Sequence, residues 1–452
     1  MLLGMFSEGM LQDEKNIFPI FCIVVSFLIA DTMINYVSDL IVPYLVSGWS
    51  IAFFTIMAFV YAFGQYALLH YIRERSKQIR MQDRFMRWIH KIVTITQYTL
   101  LAIIVVVVCE ILFTLQYHTI SLTATSGISQ ILTIVILSLF AIRFFSWFKS
   151  NRSSIVVLLY GLSFATAALS LAIVTTQDLY LLPLKDPVVT PKSEVIFPYD
   201  YIEPGSFIDN LFSVYEYISL LSFGLLIVAT GVLLYHYSKK IGKIKYWIII
   251  TLPLLYNVSM YIDNFGLYTP STDEEWFYWW LYISLNSTAG GILFGIAFMA
   301  VAKTIRQESL VRDYMKIAAY GFILMFISNQ VTLIGASYPP YAIVTMSLLP
   351  FASYMIFLGL YSTAVSVSQD NQLRKSIKKV ATENSNLLGS IGTAQMEQEI
   401  QKTVDSMKDV VQEQEKQLEE QTGIEANLEE DEMKNYLEEV MQEVGKAKKP
   451  SA

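Results

Sequence analysis

A chain of 452 residues that is 54% apolar, only 16% charged and of positive mean hydropathy lies outside the composition of an ordinary soluble globule. That composition marks a multi-pass membrane protein, and the fold class expected is an all-α polytopic bundle with a helical tail. The formal charge of −7 does not describe the membrane domain, because the 18 acidic and 11 basic residues from Asp370 onward carry all of it, while the 21 of each sign before them cancel.

No basic region precedes the first apolar run and no small-residue cleavage site follows it, so the first span is expected to be retained. Ten runs are long enough to cross a hydrocarbon layer of about 30 Å at about 1.5 Å per residue. They lie near residues 17–38, 48–72, 92–116, 128–148, 154–177, 213–237, 246–265, 280–302, 316–336 and 341–367. Asp31, Asn35, Asp39 and Pro43 interrupt the first pair. Together the spans make a membrane domain over residues 1–368, ahead of a charged cytoplasmic tail over residues 369–452.

Lysine and arginine orient the spans, since their translocation is costly. Segment 73–91 holds seven, and the alternate segments after it hold Arg143, Lys149 and Arg152, then Lys239, Lys240, Lys243 and Lys245, then Lys303, Arg306, Arg312 and Lys316, then Arg374, Lys375, Lys378 and Lys379. The intervening loops hold Lys185 and Lys192 alone, so 22 against 2 predicts a cell-membrane protein with both termini cytoplasmic. The same rule accounts for the basic rim without a phosphate site, and Trp276, Phe277, Tyr278, Trp279 and Trp280 read as an aromatic belt at the outer interface.

Ionisable groups at membrane depth are the candidates for function. Asp31 lies near the middle of the first span, Glu110 in the outer part of the third, and Glu216 and Asp263 toward the outer ends of the sixth and seventh. They are a candidate ligand or cation site open to the outside, with Asn257, Asn264, Asn286, Asn329 and Gln330 as neutral partners; the alternative is that each is solvated or hydrogen-bonded separately. Cys22 and Cys109 sit in apolar runs and are expected to be packing residues, and His70, His90, His118 and His236 lie near span ends without ligand spacing. No metal or other cofactor is expected.

Between the fifth and sixth spans, Asp178 to Leu211 reads as an extended outer loop with five prolines and six acidic residues. It divides the body into two sets of five spans, the arrangement of an inverted-repeat secondary transporter, although the halves share no sequence echo. In the eighth span Ser287, Gly291 and Gly295 form a small-residue face suited to close helix packing.

Past the last span, Leu373, Ile377, Val380, Asn384, Leu387, Ile391 and Ala394 step by four and three, the spacing of a coiled-coil seam. Gly389 and Gly392 are expected to weaken that helix, and a second seam runs from Ile400 to Leu418. A short helix follows, capped by Asn427, whose apolar face of Met433, Leu437, Val440 and Val444 suits a cytoplasmic partner or a second copy. The tail has no histidine, which excludes autokinase chemistry, and no hydrolase, metalloprotease or P-loop motif occurs in the chain, so neither enzymatic activity nor a nucleic-acid partner is expected.

The segment Ser390 to Ile400, the Glu420 to Ile424 stretch and the Glu429 to Val444 helix resemble the tail of a group of uncharacterised multi-pass membrane proteins of ammonia-oxidising archaea. The resemblance covers about a fifth of the chain. It implies an archaeal plasma membrane and a tail shared among different proteins, and no activity. The function expected is a receptor-like or scaffolding protein whose tail recruits; the alternatives are the secondary transporter and, third, an intramembrane enzyme.

Overall fold

A computed structural model describes residues 14–36, 48–152, 154–193, 202–259, 291, 293–305, 310–329, 333–336, 338–369 and 387–402. In chain order its elements are α1 (Glu14–Tyr36), α2 (Gly48–Arg75), α3 (Lys77–Gln82), α4 (Arg84–Thr114), β1 (Tyr117–His118), α5 (Thr119–Ser150), α6 (Ile155–Leu181), β2 (Val188–Val189), α7 (Phe207–Ile241) and α8 (Lys243–Ser259). Then come α9 (Leu293–Thr304), α10 (Leu310–Asn329), α11 (Ile343–Ser347), α12 (Leu349–Gln369) and α13 (387–402).

Helix satisfies every backbone donor and acceptor within the segment, which a bilayer demands. Seven of the described helical segments are long and apolar enough to cross one: Ile17–Asn35, Gly48–Arg75, Arg84–Thr114, Thr119–Ser150, Ile155–Leu184, Phe207–Tyr235 and Ile343–Gln369. Large apolar side chains such as Phe59, Ile95, Val105, Ile131 and Ile142 stand exposed along their outer faces. In water such faces would aggregate, whereas lipid chains solvate them. The protein is an integral membrane protein with an all-α bundle.

Two helices begin well before their apolar runs. α4 starts at Arg84, where Asp83 caps it by accepting from the Phe85 amide at 2.8 Å. α5 starts at Thr119, and its polar first turns are held by Thr123 and Thr125 hydroxyls donating to carbonyls four residues back. The expected outer loop is also shorter than the sequence suggests, because α6 continues to Leu181 and encloses Asp178, and α7 is already helical at Phe207.

The last span is not one helix. α11 and α12 are separate pieces, preceded by a cis Tyr338–Pro339 bond and by Ala342 in the left-handed region at φ 79°. Residues 343–364 of this span are all buried, so the final hydrophobic segment is the axis around which α4, α5 and α10 pack. Among the described residues the closest backbone approach at a glycine lies between α10 and α12, where a Cβ on Gly359 would stand 2.5 Å from the Tyr314 carbonyl oxygen and one on Gly321 would stand 2.8 Å from the Ile356 nitrogen. Gly291 and Gly295 do the same for α9 against α10, as their spacing predicts: Cβ atoms there would meet Phe326 and Ile323 at 2.5 and 2.4 Å.

The two ends of the bundle differ. At the basic end Arg75 Nη1 pairs with Asp313 Oδ2 at 2.9 Å, joining α2 to α10. At the opposite end β1 and β2 pair antiparallel, Tyr117 with Val189 and His118 with Val188, and Lys185 Nζ donates to the Ala336 carbonyl at 2.8 Å. Cys22 and Cys109, expected inside the packing, are exposed on α1 and α4, where a small thiol is as well suited to lipid as to a core.

Candidate functional site

The richest polar constellation among the described residues lies at the basic end, where α13 seats on the membrane domain. Leu387, Leu388, Ile391 and Ala394 of α13 are buried in the same apolar cluster as the bundle. This stretch of the heptad seam is therefore covered by the body rather than by a second tail helix. The helix runs through Gly389 and Gly392, and Gly392 lies where α13 crosses α12, where a Cβ would meet the Val367 side chain at 2.3 Å.

Above that apolar floor, Gln395 Oε1 accepts from Arg143 Nη2 at 2.9 Å and from Trp147 Nε1 at 3.0 Å. Gln395 Nε2 donates to Glu399 Oε1 at 3.0 Å, and Gln398 Nε2 donates to the hydroxyls of Ser146 at 2.9 Å and Ser150 at 3.2 Å. Arg143, Trp147, Ser146 and Ser150 lie on α5, spaced so that one face of its last two turns meets α13.

The seat extends to two further elements. The Arg143 guanidinium lies over the Tyr361 ring of α12 at 5.4 Å and over the Trp147 ring at 5.8 Å. Tyr361 in turn donates to Asp83 Oδ2 at 2.7 Å, so the residue that caps α4 also holds the central helix. Four elements thus share one polar network: the α3–α4 junction, α12, α5 and the tail helix. Just outside it, Arg80 of α3 has its pKa lowered by burial. Its Nε donates to Ser76 Oγ at 2.9 Å and its Nη2 to the Arg73 carbonyl.

Of the carboxylates singled out by depth, Asp31 is fully buried on α1. Its Oδ2 accepts from the Thr345 hydroxyl at 2.6 Å and from the Thr345 amide at 3.2 Å, in the first turn of α11. The carboxylate substitutes for the missing cap of a helix whose own N-cap, Ala342, has no side-chain oxygen. Glu110 is half-buried and serves a local turn: its oxygens accept from His118 Nδ1 at 2.9 Å and from the His118 amide at 3.2 Å. Glu216 is exposed on α7. Among the described residues no hydrogen bond or ion pair joins any two of these three. Asp263, and Met433, Leu437, Val440 and Val444 of the tail, lie outside the described residues, as do Ser287, the 276–280 aromatic run and the seam from Leu373 to Asn384.

Two buried polar centres escape a reading by depth. Asp178, assigned by sequence to the outer loop, is 1% exposed and accepts from Ser126 Oγ and Gln130 Nε2, both at 2.7 Å, tying α6 to the polar first turns of α5. His90, near a span end, is also buried, its Nδ1 3.0 Å from the Tyr354 hydroxyl of α12. Ser126 and Gln130, at i and i+4 on one face of α5, are the sequence signal from which the first could have been found. Among the described residues no group of three His, Cys, Asp or Glu side chains is placed to hold a metal ion.

The chain matches no family model, no curated protein and no solved structure.

Proposed function

We propose that this integral membrane protein is a receptor-like or scaffolding protein of the plasma membrane, in which ten spans place both termini in the cytoplasm and the tail recruits a cytoplasmic partner. The observation that carries this reading is the shared acceptor Gln395, held at once by Arg143 and Trp147. A rotation or shift of α5 or α12 breaks those bonds and withdraws the apolar seat, so the state of the membrane domain governs whether the tail base is held or released. The more distal partner face, Met433 to Val444, follows that base. In the full chain in nanodiscs, Gln395→Leu should speed amide exchange over residues 387–402 and alter the set of cytosolic proteins retained. If neither the wild type nor Gln395→Leu retains any protein beyond an empty-disc control, the recruiting reading fails.

A second reading, the secondary transporter, is favoured by one observation: a broken membrane segment whose α11 amide end faces a buried carboxylate, Asp31. In that reading the Asp31 carboxylate trades Thr345 for a cation or an amine during the cycle. Uptake of organic cations into proteoliposomes, abolished by Asp31→Asn, would favour transport over recruitment.

A further inference from the structure

The geometry points to a binding site for an anionic membrane lipid in the cleft between α1, α8, α9 and α10 at the basic end of the bundle. The cleft has a volume of about 770 Å³ and opens to the outside of the bundle. Two lysines line its mouth, Lys245 in the first turn of α8 and Lys303 in the last turn of α9. Both are exposed, and among the described residues neither is paired with a carboxylate.

From that mouth the walls are apolar. Ile249 stands one turn beyond Lys245, Ile296 stands seven residues before Lys303, and Phe18 to Val25 of α1 close the far side. Two helical turns carry these walls roughly 10 Å into the membrane. The cleft therefore offers two ammonium groups at headgroup level and hydrocarbon surface at acyl depth, in the order of a lipid's own parts. The Thr304 hydroxyl, also in the lining, is engaged by the Val301 carbonyl at 2.7 Å, so the mouth's free polar groups are cationic donors.

This pattern selects the occupant. A zwitterionic lipid brings an ammonium of its own against the lysines, and a free phosphate gains nothing from the apolar walls, whereas a phosphate-bearing anionic lipid uses both. Lysine suits the headgroup because its flexible stem keeps the charge at the interface while its methylenes lie along the cleft.

Native mass spectrometry of the full-length protein in a neutral detergent tests the assignment, with phosphatidylglycerol, phosphatidylcholine and inorganic phosphate as probes. The expected result is phosphatidylglycerol binding favoured about tenfold over phosphatidylcholine and reduced by roughly tenfold or more in K245Q/K303Q. Ala300→Trp, which fills the cleft, should weaken the same binding, and K77Q/K149Q, which removes two lysines elsewhere on the basic rim, should leave it unchanged. Because Lys245 and Lys303 are exposed, K245Q/K303Q carries the test if Ala300→Trp does not fold. Equal binding of the two lipids, retention in K245Q/K303Q, equal loss in K77Q/K149Q, or full displacement by millimolar inorganic phosphate would each overturn the assignment.

Discussion

Asp31 and Thr345, 314 residues apart in sequence, are joined twice, through the threonine hydroxyl and through its amide. One carboxylate oxygen thereby fastens the first span to the break that precedes the central helix. Removing it leaves the buried Thr345 amide without its acceptor, at about 1–3 kcal/mol, and leaves the hydroxyl only the longer bond to the Leu28 carbonyl at 3.3 Å. Asp31→Ala should lower the melting temperature in detergent clearly, and Asp31→Asn, which keeps an acceptor oxygen, should lower it less. An Asp31→Ala variant as stable as the wild type would show that the capping role is unimportant.

At the tail seat, Gln395→Leu removes the common acceptor of Arg143 and Trp147. A cost of about 1–3 kcal/mol is expected, concentrated in α13 rather than spread over the bundle. Hydrogen exchange resolved by peptide distinguishes the two: faster exchange over residues 387–402 with unchanged protection in α12 is the expected pattern.

The space around two glycines, one at the α10–α12 crossing and one on α7, predicts different outcomes for their replacement. Gly359→Ala forces a methyl group against the Tyr314 carbonyl and the Ala318 nitrogen, and should destabilise by about 1–3 kcal/mol. Gly224 of α7 has open space around its Cβ position, so Gly224→Ala should be neutral or stabilising by up to about 1 kcal/mol. Thermal unfolding of the two variants side by side separates packing from helix propensity.

Orientation is testable without knowing the function. In a background where Cys22 and Cys109 are replaced by serine, a cysteine at Asp186 should react with a membrane-impermeant maleimide on intact cells, and one at Lys77 should react only after lysis. The reverse pattern would invert the topology that the 22 basic residues imply.

Apolar length and composition made the membrane helices legible, and the four-residue spacing of Gly291 and Gly295 correctly announced a close crossing. Asp31 was legible as a buried carboxylate, but its partner was not, because Thr345 follows a backbone break that no periodicity encodes. The early starts of α4 and α5 were hidden by their polarity: hydropathy measures solvation by lipid, whereas Asp83 and Ser126, and Gln130 through its Nε2, have specific partners. Asp178 was misplaced for the same reason. The tail seam illustrates a different limit. Leu387, Ile391 and Ala394 announce that one face of a helix is covered, and the spacing is the same whether the cover is another coil or, as here, the membrane domain itself.

The burial of residues 343–364 carries a consequence for how the protein is made. Its central helix leaves the ribosome after the membrane helices packed around it, so α1 to α10 reach the membrane before the surface they pack against exists. Their inward faces, including the Tyr314 to Ala318 turn of α10 that receives Gly359, must wait in lipid or associate loosely until the axis arrives. The centre is therefore filled late, after its surroundings, and seating α13 beside α12 is the last step. A chain that stops before Leu349 yields spans that can insert but have no centre to close upon.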